Sequence, residues 1–141
     1  MRVPPGITTN NPMMLANEGV EYEGGLEPHD GLLVFDTQLH GVTAGLIYAR
    51  TMVYGKGCDT LERFLVDQPY VTAGMMALAI LPNGPLHLDN PDRLIGWARF
   101  VIRHENGTRD DGTMWITDET IRQAATLAMA LTLDLPNSVA S

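Results

Sequence analysis

Asp36 and His40 stand four residues apart in the stretch FDTQLHGVTAGLIYAR, and on a helix that spacing sets a carboxylate and an imidazole on one face. A carboxylate beside an imidazole can orient it as a base or help it hold a metal. A metal site would need two further ligands at helical or hairpin spacing, and the HExxH pattern is absent. A helix starting here gives Asp36 a simpler role, because a carboxylate is favoured at the positive end of the helix dipole. We take that reading first and the catalytic one second.

A second cluster, His87, Asp89, Asn90 and Asp92, falls in the loop LPNGPLHLDNPD. Two carboxylates and an imidazole in a loop can bind a divalent ion or act as acid and base. The stretch LDNPD also reads as a turn followed by a helix cap, and that reading comes first. In ENGTRDDGT, a calcium loop aligned on Gly112 would need oxygen ligands at Gly107 and Arg109 and a bidentate Glu at Asp118, so the stretch reads as a solvated turn. Arg99, Arg103 and Arg109, with His104, offer a small anion-binding patch, the first two sharing a helix face. Cys58 sits at a helix start, where the dipole favours a thiolate, but a nucleophile would also need a His within reach. No phosphate loop, GxSxG, paired CxxC or dinucleotide fingerprint occurs, and none of the motifs identifies a family.

The elements that would position these groups are mostly helical. Leu39, Val42, Leu46, Ala49 and Val53 recur at spacings of three and four from Thr37 onward, with Gly41, Gly45 and Met52 widening the stripe. Such a wide stripe implies more than one neighbour. Gly41 and Gly45 leave a shallow groove for a close backbone approach, despite a helix-propensity cost of about 1 kcal/mol each. Asp59 is placed to cap a helix over 60–68 with Glu62 completing a capping box, and Pro69 suits the first turn of a third helix running to Leu81. Asn90 caps a fourth helix from Pro91, with Leu94, Ile95, Trp97, Ala98, Val101 and Ile102 as its apolar face. Thr117 caps the last helix, Asp118 and Glu119 lie in its first turn, and Pro136 ends it.

Residues 1–30 carry Pro4, Pro5, Pro12 and Pro28 among several glycines, too much punctuation for a continuous helix. They form an extended acidic arm, with Glu18, Glu21, Glu23, Glu27 and Asp30 against Arg2. Its apolar residues, Met13, Met14 and Tyr22 among them, suit an arm that lies across its own domain or a neighbouring subunit. The expected architecture is an all-α, compact and irregular bundle of about five helices over residues 31–141, a single domain preceded by this arm. The alternative is α+β, with short strands near 32–35 and 113–117.

Composition bounds the function. Hydrophobic residues make up 45% of the 141 and charged residues only 18%, below the usual roughly 25%, so part of the surface is expected to be covered by a partner. A formal net charge of −8 argues against nucleic acid. One cysteine suits a reducing, cytoplasmic setting, and no stretch approaches a membrane span. The sequence therefore leads to a non-enzymatic interaction or assembly protein, a homo-oligomer meeting a protein partner through apolar helix faces and the arm. Gly41, Gly45, Met52, Met13, Met14 and Tyr22 are its expected contact residues, and neither metal nor cofactor is expected. A phage or bacterial accessory protein fits this description. The alternative is a small-molecule-binding or hydrolytic pocket built from Asp36, His40, His87 and Asp89.

Overall fold

The structure, a computed structural model, describes residues 2–57 and 87–133. The expectations for Cys58, the Asp59-capped helix, the Pro69-led helix and the stop at Pro136 lie outside the described residues. The described chain is helix-rich with one small two-stranded sheet, in the order α1 (Pro5–Thr8), β1 (Gly25–His29), β2 (Leu32–Phe35), α2 (Gln38–Arg50), α3 (Pro91–Asn106) and α4 (Asp118–Leu131). A π-helical turn, Thr51–Gly55, continues α2 directly.

Local chemistry sets the helix starts. The Thr37 side chain accepts from the His40 N–H at the head of α2. Asn90 accepts from the N–H groups of Asp92 and Arg93, with Pro91 in the first turn of α3. Thr117 accepts from the Thr120 N–H, and Asp118 and Glu119 meet the positive end of α4. Gly107 closes α3 at a φ of 66°, its N–H reaching the Arg103 carbonyl.

Tertiary packing then centres on α2. Its buried residues run unbroken from Gly41 to Leu46, so it is enclosed on nearly every side there. Among the described elements its most extensive partner is α4, whose Ala124, Ala125 and Ala128 allow a close approach. Val42, Leu46, Met52 and Val53 meet Leu94, Trp97, Val101 and Ile102 of α3 in the main core. Each large aliphatic side chain buried there stabilises the fold by about 1.5–3 kcal/mol. Leu127 and Leu131, which continue the apolar pattern of α4 in the sequence, instead lie on its outer face, 39% and 61% exposed, and Leu133, just past its end, is 68% exposed.

The N-terminal stretch is folded. It opens with the single turn α1, and Met13 enters the main core while Leu15 joins a smaller cluster with Phe35 and Ala44. Asn11, fully buried, holds it in place: Oδ1 accepts from the Leu15 N–H, and Nδ2 donates to the carbonyls of Leu15 and Leu33. Asn106 of α3 donates to the Pro12 carbonyl at 2.7 Å. β1 and β2 form an antiparallel hairpin whose two-residue turn, Asp30 and Gly31, has φ of 51° and 80°, the primed geometry that matches strand twist. The expected join between arm and domain, at residues 30 and 31, is this turn. The strand of the α+β alternative at 32–35 coincides with β2. Near 113–117 the described residues hold only an isolated bridge between Thr108 and Met114.

Candidate functional site

At the head of α2, Thr37 takes the cap position, and Asp36 stands one residue outside it. There Asp36 Oδ1 meets His40 Nδ1 at 2.6 Å. The hydrogen bond from His40 is the main cause holding the Asp36 carboxyl below its ordinary 3.8. The pair is partly open to water, with side-chain exposures of 29% for His40 and 44% for Asp36, so its ionic contribution is modest. Gly24 lies against it at a φ of 80°, and its carbonyl accepts the Asp36 N–H at 2.9 Å. A Cβ at Gly24 would collide with His40 Nδ1 and Asp36 Oδ1. The dyad thus anchors the segment leading into the hairpin on the helix head. Among the described residues, no group of three His, Cys, Asp or Glu side chains is arranged to hold a metal ion.

A second polar centre lies where α2 passes into its π turn. Arg50 is 1% exposed and donates from Nε to Thr132 Oγ1 at 2.6 Å, from Nη2 to the Thr132 carbonyl at 3.1 Å, and from Nη1 to the Leu88 carbonyl. Its guanidinium lies over the Tyr54 ring, 5.4 Å from the centroid. Burial lowers the Arg50 pKa, with Tyr54 and Asp89 opposing. Burial, and then a hydrogen bond to Asp89, push the Tyr54 phenol up to about 12. Arg50 therefore joins α2, the turn before α3 and the end of α4. His87 and Asp89 belong to this end of the molecule, about 20 Å along the helix from His40. The pocket expected from Asp36, His40, His87 and Asp89 together does not form, because α2 holds the two pairs apart. The His87 carbonyl accepts the Asn90 N–H, and Asn90 and Asp92 serve the start of α3.

Two of the three patch arginines are engaged elsewhere. Arg99 donates to Asp118 Oδ1 at 3.0 Å, tying α3 to the head of α4, while Arg109 covers the Trp115 ring. Arg103 is exposed on α3. Within the solvated turn, Asp111 accepts from both the N–H and the hydroxyl of Thr113, and these bonds lower its pKa.

The expected partner-contact residues point largely inward. A Cβ on Gly41 would strike the Asn10 carbonyl, and one on Gly45 would strike the Met13 side chain. The helix groove is thus filled by this chain's own N-terminal segment, a correction to its expected use by a partner. Met13 and Met52 are buried at 5% and 2% exposure, Met14 is half-buried at a φ of 56°, and Tyr22 packs against Phe35 with ring centroids 6.4 Å apart.

Among the described residues, the hairpin face is open. Tyr22, Leu33 and Phe35 floor a cleft of about 600 Å³, with Val20 and Leu26 as its walls. Val20 and Leu26 are about half exposed, and all five residues of β1 are exposed. Glu21 and Glu27 also line it. This face was missed in the sequence as a surface, although Asp30-Gly31 followed by Leu32-Leu33-Val34-Phe35 is a hairpin signal, weakened by Glu27 and Pro28 on the other flank. No protein-family model matches this chain, and no curated protein matches it.

Proposed function

We propose that this chain is a non-enzymatic interaction protein, a homo-oligomer that meets a protein partner through its N-terminal hairpin face. The observation that carries the reading is the open cleft of mixed polar and apolar lining over Tyr22, Leu33 and Phe35, beside which Val20 and Leu26 stand half exposed. Val20 and Leu26, apolar side chains held open to water beside a groove, are what an interaction surface requires. The fold holds this groove ready through Asn11 and the Gly24 contact with Asp36 and His40, so little ordering is lost on binding. Self-association draws support from exposed Leu127 and Leu131 on the outer face of α4 and Leu133 just past its end. A reducing cytoplasmic setting and a phage or bacterial accessory role belong to the same reading, supported by the single cysteine and the low charge.

The test is a photocrosslinking residue placed at Leu26 of the full chain, with Asp110, exposed in the turn between α3 and α4, as the control position. A defined crosslinked species from Leu26 and none from Asp110 is expected. Equal labelling from both positions would remove the hairpin from the interaction. The 2.6 Å contact between His40 and Asp36 favours a second reading, a small-molecule site at the head of α2. That reading requires ligand-dependent melting that disappears in His40→Ala.

A further inference from the structure

We propose that the hairpin cleft takes a basic segment of a protein partner, in which Lys or Arg residues flank one apolar side chain. This rests on the interaction reading above and names its partner's chemistry. From Val3 to Ala49 the chain contains no Lys or Arg, while Glu18, Glu21, Glu23, Glu27, Asp30 and Asp36 all fall there. All six are exposed. Asp36 is engaged by His40, and Asp30 lies 3.2 Å from His29, so the four glutamates are the acids left around the cleft. Glu21 and Glu27 line it directly.

Glu18 also acts on the floor. Burial, and then the charge of Glu18, push the Tyr22 phenol above its ordinary value. An anionic partner, whether nucleic acid or an acidic lipid surface, would be repelled from such a groove. A cationic segment is steered toward it, and charge complementarity of this kind acts mainly on partner choice and on-rate. Charge alone gives no depth of contact. Leu26 and Val20, with the Tyr22, Leu33 and Phe35 floor, supply an apolar seat that a purely hydrophilic cation would leave unused. The cleft volume, about 600 Å³, falls in the roughly 300–1,000 Å³ range of ligand-sized sites. The occupant is therefore a short segment with an anchor, not a whole protein face.

The test uses the full chain and three fluorescein-labelled pentapeptides: one Leu between two pairs of Lys, the same peptide with Gly for Leu, and the same with Glu for Lys. Fluorescence anisotropy should give saturable binding of the Lys–Leu peptide that weakens as salt rises. Binding should fall roughly tenfold in Glu21→Lys/Glu27→Lys and by a similar factor with the Gly peptide. Leu26→Ser, at an exposed position, should match the loss caused by the Gly peptide, and melting curves of both variants establish that they fold. No saturable binding, or binding that ignores the charge reversal, overturns the proposal. Equal binding of the Leu and Gly peptides overturns it as well, reducing the cleft to a diffuse attractor of cations. If the Lys–Leu peptide fails while the Leu26 crosslink persists, the basic partner is wrong and the interaction reading stands. If both fail, the interaction reading falls with it.

Discussion

Asp36 holds its charge half in water, whereas Arg50 holds its charge sealed in the core, and the two respond differently to substitution. Because the folded state lowers the Asp36 pKa, its stabilising effect is complete above the ordinary 3.8 and is lost as pH falls through the lowered value. Melting temperatures of the native chain and Asp36→Asn should therefore differ slightly near neutrality and converge in acid below about pH 3.8. Arg50→Ala should cost about 3 kcal/mol or more in denaturant titration, because it strands the buried carbonyls of Leu88 and Thr132 and opens a cavity. Arg50→Lys should rescue little, since an ammonium cannot reproduce the fork. Tyr54 carries the opposite pH sign to Asp36. Its phenol is held at about 12, so the unfolded chain ionises first and stability falls as pH rises from 10.0 toward 12. That alkaline decline should be smaller in Tyr54→Phe. The Asp36–His40 pair was legible because both partners lie within one helical turn. The Arg50 knot was not, because Thr132 is 82 residues away and nothing local marks the end of a helix as the acceptor of a guanidinium.

Among the elements, those with caps were the readable ones. Asn90 before Pro91, and Thr117 before two acids, act through bonds two or three residues long, so spacing alone locates the starts of α3 and α4. The hairpin and α1 were harder, because what holds them is distant: Asn11 bonds to Leu33, Asn10 to Phe35, and Asn106 to Pro12. Proline and glycine content speaks against a long helix and suggests an extended arm, whereas the same residues serve a single helical turn and a primed hairpin turn. The glycine groove was correctly seen as a place of close approach, but its occupant could not be read from spacing. Two substitutions test how tightly these elements are joined. Gly24→Ala adds a Cβ at a φ of 80° and into the Asp36–His40 pair, and should cost roughly 1–3 kcal/mol in thermal unfolding. Gly41→Ala, in ordinary helical backbone, should nevertheless cost a comparable or larger amount, about 1–3 kcal/mol or more, because the obstruction is the Asn10 backbone and not a movable side chain. A neutral Gly41→Ala would mean that the N-terminal segment leaves α2 in solution.

For the molecule as a whole, the question is whether residues before the hairpin form part of one cooperative unit. Met13 is buried among Leu46, Val42 and their neighbours, so Met13→Ala should lower the melting temperature by roughly 10 °C. The transition followed by tryptophan fluorescence, with Trp97 buried in the main core, should coincide with that followed by far-ultraviolet circular dichroism. If the segment were an independent arm, Met13→Ala would leave both curves in place. Its inward folding also shifts any self-association elsewhere, since the groove at Gly41 and Gly45 is already occupied. The outer face of α4 then becomes the surface to test. Leu127 and Leu131 are one turn apart, Leu133 follows, and none of the three contributes to the buried core. Replacing exposed leucine by glutamine removes apolar surface without opening a cavity, so Leu127→Gln/Leu131→Gln should keep or slightly raise monomer stability. Light scattering of the full chain at micromolar concentration should show an oligomer, and the double variant should shift its mass toward the monomer. An oligomer indifferent to both leucines would direct attention back to the hairpin, where Leu26→Ser supplies the matching measurement. A monomeric native chain would remove self-association from the proposed function and leave the hairpin cleft as its sole interaction surface.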